Sequence, residues 1–152
     1  KIIQVYENAL AACVILTSFI PMFMDTGGNA GGQASVTIIR GISLGEIAFR
    51  DIFRIMWKEV RVGILCGVTL ACANFVKLMV IDHTTIPIAR VVCLTLVVTV
   101  ILAKLVGCSL PLLARQVGFD PAVMASPFIT TIVDALSLII YFQIASALLG
   151  IV

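Results

Sequence analysis

Apolar residues run along this chain in stretches longer than the amphipathic elements of a soluble fold. A helix that crosses a bilayer needs about 20 mostly apolar residues at roughly 1.5 Å of rise each. Four stretches reach that length, roughly residues 8–39, 61–81, 88–114 and 121–150. The first is long for a straight helix and contains Pro21, then Gly27, Gly28, Gly31 and Gly32, residues that permit bends. It reads as one kinked span, because cutting it in two would leave pieces of about 15 residues with no loop between them. The second has no charge from Val62 to Val76, and Lys77 near its end can snorkel to the interface. The third follows Pro87 and carries Lys104 and Pro111 in its later half, where a bend or tilt is expected. The fourth opens on Asp120-Pro121, an acidic N-cap followed by proline in the first turn. Between the first two spans, roughly residues 45–58 interleave Ile47, Phe49, Ile52, Phe53, Ile55, Met56 and Trp57 with Arg50, Asp51, Arg54 and Lys58. That pattern predicts a short interfacial amphipathic helix.

The expected fold is therefore all-α, a polytopic helical membrane protein with about four spans and one membrane domain over residues 1–152. Composition agrees. The 152 residues are 61% hydrophobic and 12% charged, with a mean hydropathy of +1.19, against about 25% charged in ordinary soluble domains. A net charge of +2 with scattered basic residues excludes a nucleic-acid-binding face. Cys13, Cys66, Cys72, Cys93 and Cys108 lie inside apolar runs without a C-x-x-C pair, and read as small buried hydrophobes. Arg40, Arg50, Arg54, Lys58 and Arg61 concentrate positive charge around the first connection, whereas the next, around His83, has only Lys77 and Arg90 at its edges. The richer side is expected to be cytoplasmic. Lys1 and Val152 would then lie outside and the turn with Arg115 inside. An outside start with no signal peptide implies a preceding helix.

The candidate chemistry begins with Asp134, the one charge of the fourth span beyond its start. Counted from Pro121 it lies about 20 Å into a core about 30 Å thick. A carboxylate there costs about 2.5 kcal/mol or more, and its short side chain cannot snorkel, so it must face protein, water or a cation. Pro127, Thr130, Asp134, Ser137 and Tyr141 recur every three or four residues and share a helix face. Pro127 also frees the carbonyl near Val123, the kind of oxygen that hard cations or their water shells use. Hydroxyls on such a stripe can equally bond back to their own helix. In the first span Asp25, Asn29, Gln33 and Thr37 form a matching stripe, beside glycines whose Gly27/Gly31 and Gly28/Gly32 spacing suits close helix packing as well as a pore lining. Asn29 favours the lining, since an amide facing lipid needs partners.

The strings DTGGNAGGQASVTIIRG (Asp25–Gly41) and GFDPAVMASPFITTIVDALSLIIYF (Gly118–Phe142), with KEVRVGILCGVTL from Lys58 and LVGCSLPLLARQ from Leu105 between them, resemble the signature segments of the MgtE family of magnesium channels. The resemblance covers nearly the whole chain. It implies a membrane domain of five spans per protomer working as a homodimer in the plasma membrane. The chain would lack the first span and the cytoplasmic regulatory domains. By resemblance Asp134 is the pore aspartate that recognises Mg2+, the transported ion, with the Thr130 carbonyl contributing. Other members carry alanine where Thr130 stands, a change a backbone carbonyl survives. Asp120 would sit near the cytoplasmic mouth at an additional metal site. Gly28, Asn29, Gly31, Asp25, Gln33, Pro127 and Ser137 are expected around the pore.

Mg2+ dehydrates reluctantly, so carboxylates that contact the hydrated ion avoid the full dehydration cost. At about 5 Å and an effective dielectric of about 20, each carboxylate attracts the ion by roughly 6 to 7 kcal/mol before desolvation. Conduction needs release as well as capture, which favours two aspartates with neutral neighbours over a dense acidic cage. The alternative function is a proton- or sodium-coupled divalent cation transporter in which Asp25 or Asp134 titrates. A third is an assembly subunit in which the glycines only pack helices. An enzyme is not expected, because His83 has Asp82 beside it but no nucleophile or metal partner at suitable spacing.

Overall fold

The computed structural model describes residues 14–124 and 126–149. Cys13, the first residues of the expected first span and both chain termini lie outside the described residues.

Among the described residues four long helices follow one another: α1 (Ile20–Ser43), α2 (Ile52–Val80), α3 (Ile86–Gln116) and α4 (Ser126–Leu149). The all-α expectation holds. Proline and glycine set most of the ends. Residues 14–17 are helical, and the chain then turns at Ser18 and Phe19 before α1 begins with Pro21 in its first turn. Proline has no N–H to donate and its ring clashes with the carbonyl four residues back, here that of Thr17. The kink expected in the first span thus falls at Ser18–Phe19, and α1 runs unbroken through all four glycines. At its other end Gly45 takes a φ of +73°, and the Glu46 and Ile47 N–H groups both donate to the Gly41 carbonyl. Left-handed backbone at this point suits glycine. Arg115 Nη1 donates to the Ile42 carbonyl at 3.1 Å, satisfying another terminal acceptor from a distant helix.

The connector differs from the separate interfacial helix expected at 45–58. A single 3-10 turn, Phe49–Asp51, leads directly into α2. Ala48 N–H donates to Asp51 Oδ2 at 3.0 Å and fixes this start. Ile47, Ile52, Ile55 and Met56 then pack on a buried cluster of Ile38, Ile42, Cys108 and Leu112. Inward apolar anchors at every third or fourth residue make the connector the first turns of the span itself.

The fourth span also differs from the expected 121–150. Asp120 does cap a turn, since its Oδ1 accepts Ala122 N–H at 2.9 Å. That turn is a short 3-10 segment, Pro121–Met124, and α4 starts only at Ser126. Pro127 supplies the reason, because its ring is incompatible with continuous helix through Val123. Asp134 therefore lies about 12 Å from the start of α4, nearer that end than a helix counted from Pro121 would put it.

Among the described residues, three helices are long and apolar enough to cross a membrane, within Phe49–Val80, Ile86–Gln116 and Pro127–Leu149. Helix α1, with 24 residues, is about 36 Å long, but Asp25, Asn29, Gln33 and its glycines dilute its apolar content. Helix α3 is central: it packs on α1, α2 and α4, and α1 also packs on α4. Its buried positions extend from Ile88 to Ala114. Glycine sets the spacing on two sides. A Cβ at Gly63 or Gly67 would lie 3.1 Å from Ile101 Cα or 3.0 Å from Val97 Cα, so α2 rests on the α3 backbone along Gly63, Gly67 and Ala71. A Cβ at Gly107 would land on the Gly31 carbonyl oxygen, so α1 and α3 touch backbone to backbone. Lipid is as apolar as leucine, so helices in it associate through such close packing.

Candidate functional site

The polar residues of α1 and α4 meet through glycine. A Cβ at Gly28 would come within 3.1 Å of Thr130 Cγ2 and 3.7 Å of Asp134 Oδ1. Only a residue without a side chain lets α1 lie this close to the turn that carries Asp134. One residue earlier, a Cβ at Gly27 would meet Ser137 Oγ and Val133 Cγ1, both at 2.9 Å. Gly31 is closed in between Ala103 of α3 and Ile129 and Val133 of α4. Gly27 and Gly31 are thus packing positions, and Gly28 stands at the edge where packing gives way to the carboxylate.

Asp134 is partly exposed on the surface of the single chain. Among the described residues it has no hydrogen-bond or ion-pair partner. A turn earlier, Thr130 Oγ1 donates to the Pro127 carbonyl at 3.0 Å, and Thr131 Oγ1 shares that acceptor at 2.9 Å. The threonine hydroxyls thus bond back to their own helix and leave the carboxylate as the free polar group. Further along the stripe the character changes. Ser137 and Tyr141 are buried, and Ser137 Oγ donates to the Val133 carbonyl at 2.7 Å. Tyr141 Oη donates to the Leu16 carbonyl at 2.7 Å, while its ring lies tilted against that of Phe23, with centroids 4.5 Å apart. The stripe on α4 is therefore divided: Pro127, Thr130 and Asp134 reach the surface, and Ser137 and Tyr141 hold α1 and the residues before it.

The stripe on α1 stays exposed. Asn29 Nδ2 donates to Asp25 Oδ1 at 3.1 Å, and Thr37 Oγ1 bonds back to the Gln33 carbonyl. Asp25, Asn29 and Gln33 line a cleft of about 630 Å³ against Thr69 of α2 and Lys104 of α3. Asn29 and Gln33 also border a groove of about 560 Å³ on the other side, with Gly28 and Gly32. Asp120 is exposed at the end of the bundle where Arg115 ties α3 to α1, apart from Asp134. Among the described residues no three His, Cys, Asp or Glu side chains converge into a cage. Gly28, Thr130 and Asp134 come together, Asp25, Asn29 and Gln33 form a second polar surface, and Asp120 belongs to neither.

Sequence reasoning missed a buried ion pair. Lys104 Nζ and Glu59 Oε2 lie 3.3 Å apart between α3 and α2, each side chain about 10% exposed. Neither residue has a helical neighbour that announces the other, since they are 45 positions apart. The missed signal was charge alone: Lys104 sits inside an apolar run and needs a counter-ion. Thr95 and Thr99 were also overlooked, and their buried hydroxyls have no hydrogen-bond partner among the described residues.

Comparison with known proteins gives the family. A family profile, MgtE, described as a divalent cation transporter, matches residues 20–144. A magnesium transporter MgtE of Thermus thermophilus is 37% identical over 149 residues, covering 98% of this chain and 33% of that protein. Those of Bacillus subtilis and Enterococcus faecalis are 34% and 32% identical, over 97% and 96% of this chain and 32% of each relative. The chain thus spans about a third of the length of these curated relatives.

Proposed function

From the chain's membership of the MgtE family we propose that it forms the membrane-embedded pore domain of a magnesium channel, moving Mg2+ into the cell down its electrochemical gradient. The observation that carries this reading is the unpartnered Asp134 carboxylate beside Gly28. A carboxylate within a membrane helix needs a compensating charge or water, and this one opens to the outside of the single chain. A second copy placed against this face would bring two carboxylates together. A hydrated divalent cation then supplies the missing positive charge.

Residues take roles accordingly. Asp134 recognises the hydrated ion through its waters, which spares the dehydration that Mg2+ resists. Gly28 gives the ion room, and Asn29 and Gln33 offer neutral oxygens that bind without trapping it. The Thr130 carbonyl adds a further acceptor one turn from Asp134. Asp120, exposed at the end with the basic connector, holds metal near the mouth. The working unit is a homodimer in the plasma membrane, with regulatory cytoplasmic domains supplied by the remainder of the protein.

The test is Mg2+ uptake into proteoliposomes by the full protein and by Asp134→Asn and Asp134→Ala variants. Both variants are expected to fall to the background rate while keeping wild-type helicity. Normal uptake by either would overturn the assignment. Uptake that follows an imposed pH gradient, with no Mg2+ gradient, would replace the channel with a coupled transporter.

A further inference from the structure

The outer face of α2 changes character along its length. From Ile64 onward it is mainly apolar, with Ile64 45% exposed, Leu65 71% exposed and Val68 46% exposed, and Thr69 the first polar interruption. Nearer the start the same face carries Phe53, 83% exposed, and Trp57, 65% exposed, beside the exposed cations Arg54, Lys58 and Arg61. Phe53 and Trp57 are four residues apart, as are Arg54 and Lys58, so two stripes run side by side around the outside of the helix. Glu59 and Gly63 point the opposite way, into α3.

None of Arg54, Lys58 and Arg61 forms an ion pair among the described residues. They border a groove of about 400 Å³ that Glu46 and Asp51 also line. Glu46 and Asp51 offset two of the three cations and leave one positive charge in surplus. A position with surplus positive charge, exposed aromatic rings and a mainly apolar face below it matches one kind of molecule. A soluble anion would satisfy the cations and leave Phe53 and Trp57 in water. A lipid with an anionic headgroup satisfies both stripes at once, the phosphate among the cations and the acyl chain along Phe53, Trp57 and Ile64.

We propose that this face of α2 is a binding site for an anionic phospholipid. It anchors the connector from outside, while Ile52, Ile55 and Met56 anchor it from within.

Trp57 is the only tryptophan in the sequence, so its fluorescence reports on this site. The chain is reconstituted in phosphatidylcholine bilayers containing brominated phosphatidylglycerol or, separately, brominated phosphatidylcholine at equal mole fraction. The brominated anionic lipid is expected to bind about fivefold more tightly, what one cation near an anionic surface is worth. That preference should fall to near unity in R54Q/K58Q/R61Q and persist in R90Q, which alters a cation at the start of α3. Equal quenching of the wild type by both lipids overturns the proposal, and that arm requires no variant. Quenching by neither also overturns it and means that protein covers Trp57. A preference retained in a folded triple variant overturns it as well.

Discussion

Replacing Gly107 with alanine tests whether backbone contact between α1 and α3 sets the position of the polar face. The added methyl would land on the Gly31 carbonyl oxygen, 2.9 Å from its carbon and 3.0 Å from Gly31 Cα. Carbon atoms prefer about 3.5 to 4.0 Å, so α1 must retreat by roughly 0.5 to 1 Å. Neither partner is a side chain that can rotate away. Overpacking of this kind costs about 1 to 3 kcal/mol, and the upper end is expected because two helix backbones must part. At about 3 kcal/mol the folding equilibrium shifts roughly a hundredfold. The assay is thermal unfolding of the detergent-solubilised protein, followed by circular dichroism. Gly118→Ala is the comparison: φ there is +86° with nothing within 4 Å, so only backbone strain of about 1 to 2 kcal/mol is added. Because Gly28 lies one turn from Gly31 on α1, the Gly107 variant should also lose Mg2+ uptake, whereas the Gly118 variant should retain it. A Gly107→Ala protein that melts with the wild type and conducts normally would refute the reasoning.

Glu59→Ala should destabilise the bundle by about 3 to 5 kcal/mol by leaving Lys104 buried without its counter-ion. Glu59→Met combined with Lys104→Met should cost much less, and denaturation of the single and double variants checks it. Thr99→Val keeps the shape of a side chain whose buried hydroxyl has no partner, so it should be neutral or stabilising in the same melt. Tyr141→Phe removes the donor to the Leu16 carbonyl and should cost about 1 to 3 kcal/mol, read as faster proteolysis near residues 14–19.

Much of the site could be read in the chain. Helical spacing alone put Thr130 on one face with Asp134, and the cost of a carboxylate in lipid singled out Asp134. Spacing could not tell that Ser137 and Tyr141, on the same stripe, turn into the bundle, because burial depends on where α1 crosses α4. Nor could it assign the glycines. Gly31 and Gly28 look alike in sequence, yet one is enclosed by α3 and α4 and the other faces a carboxylate.

The sequence by itself determined the solvent and the helical class. Those are local properties, because hydrophobic length selects lipid; proline alone did not fix the breaks, since Pro21 and Pro127 stand in first turns while Pro111 lies inside the unbroken α3. Tertiary structure decided which polar groups are satisfied within the chain. Glu59 finds Lys104 and Tyr141 finds Leu16 across long separations, and both become part of the packing. Asp134 finds no such partner among the described residues. What separates it from the buried polar groups is a matter of what lies opposite, and only the crossing of α1 over α4 at Gly28 fixes that.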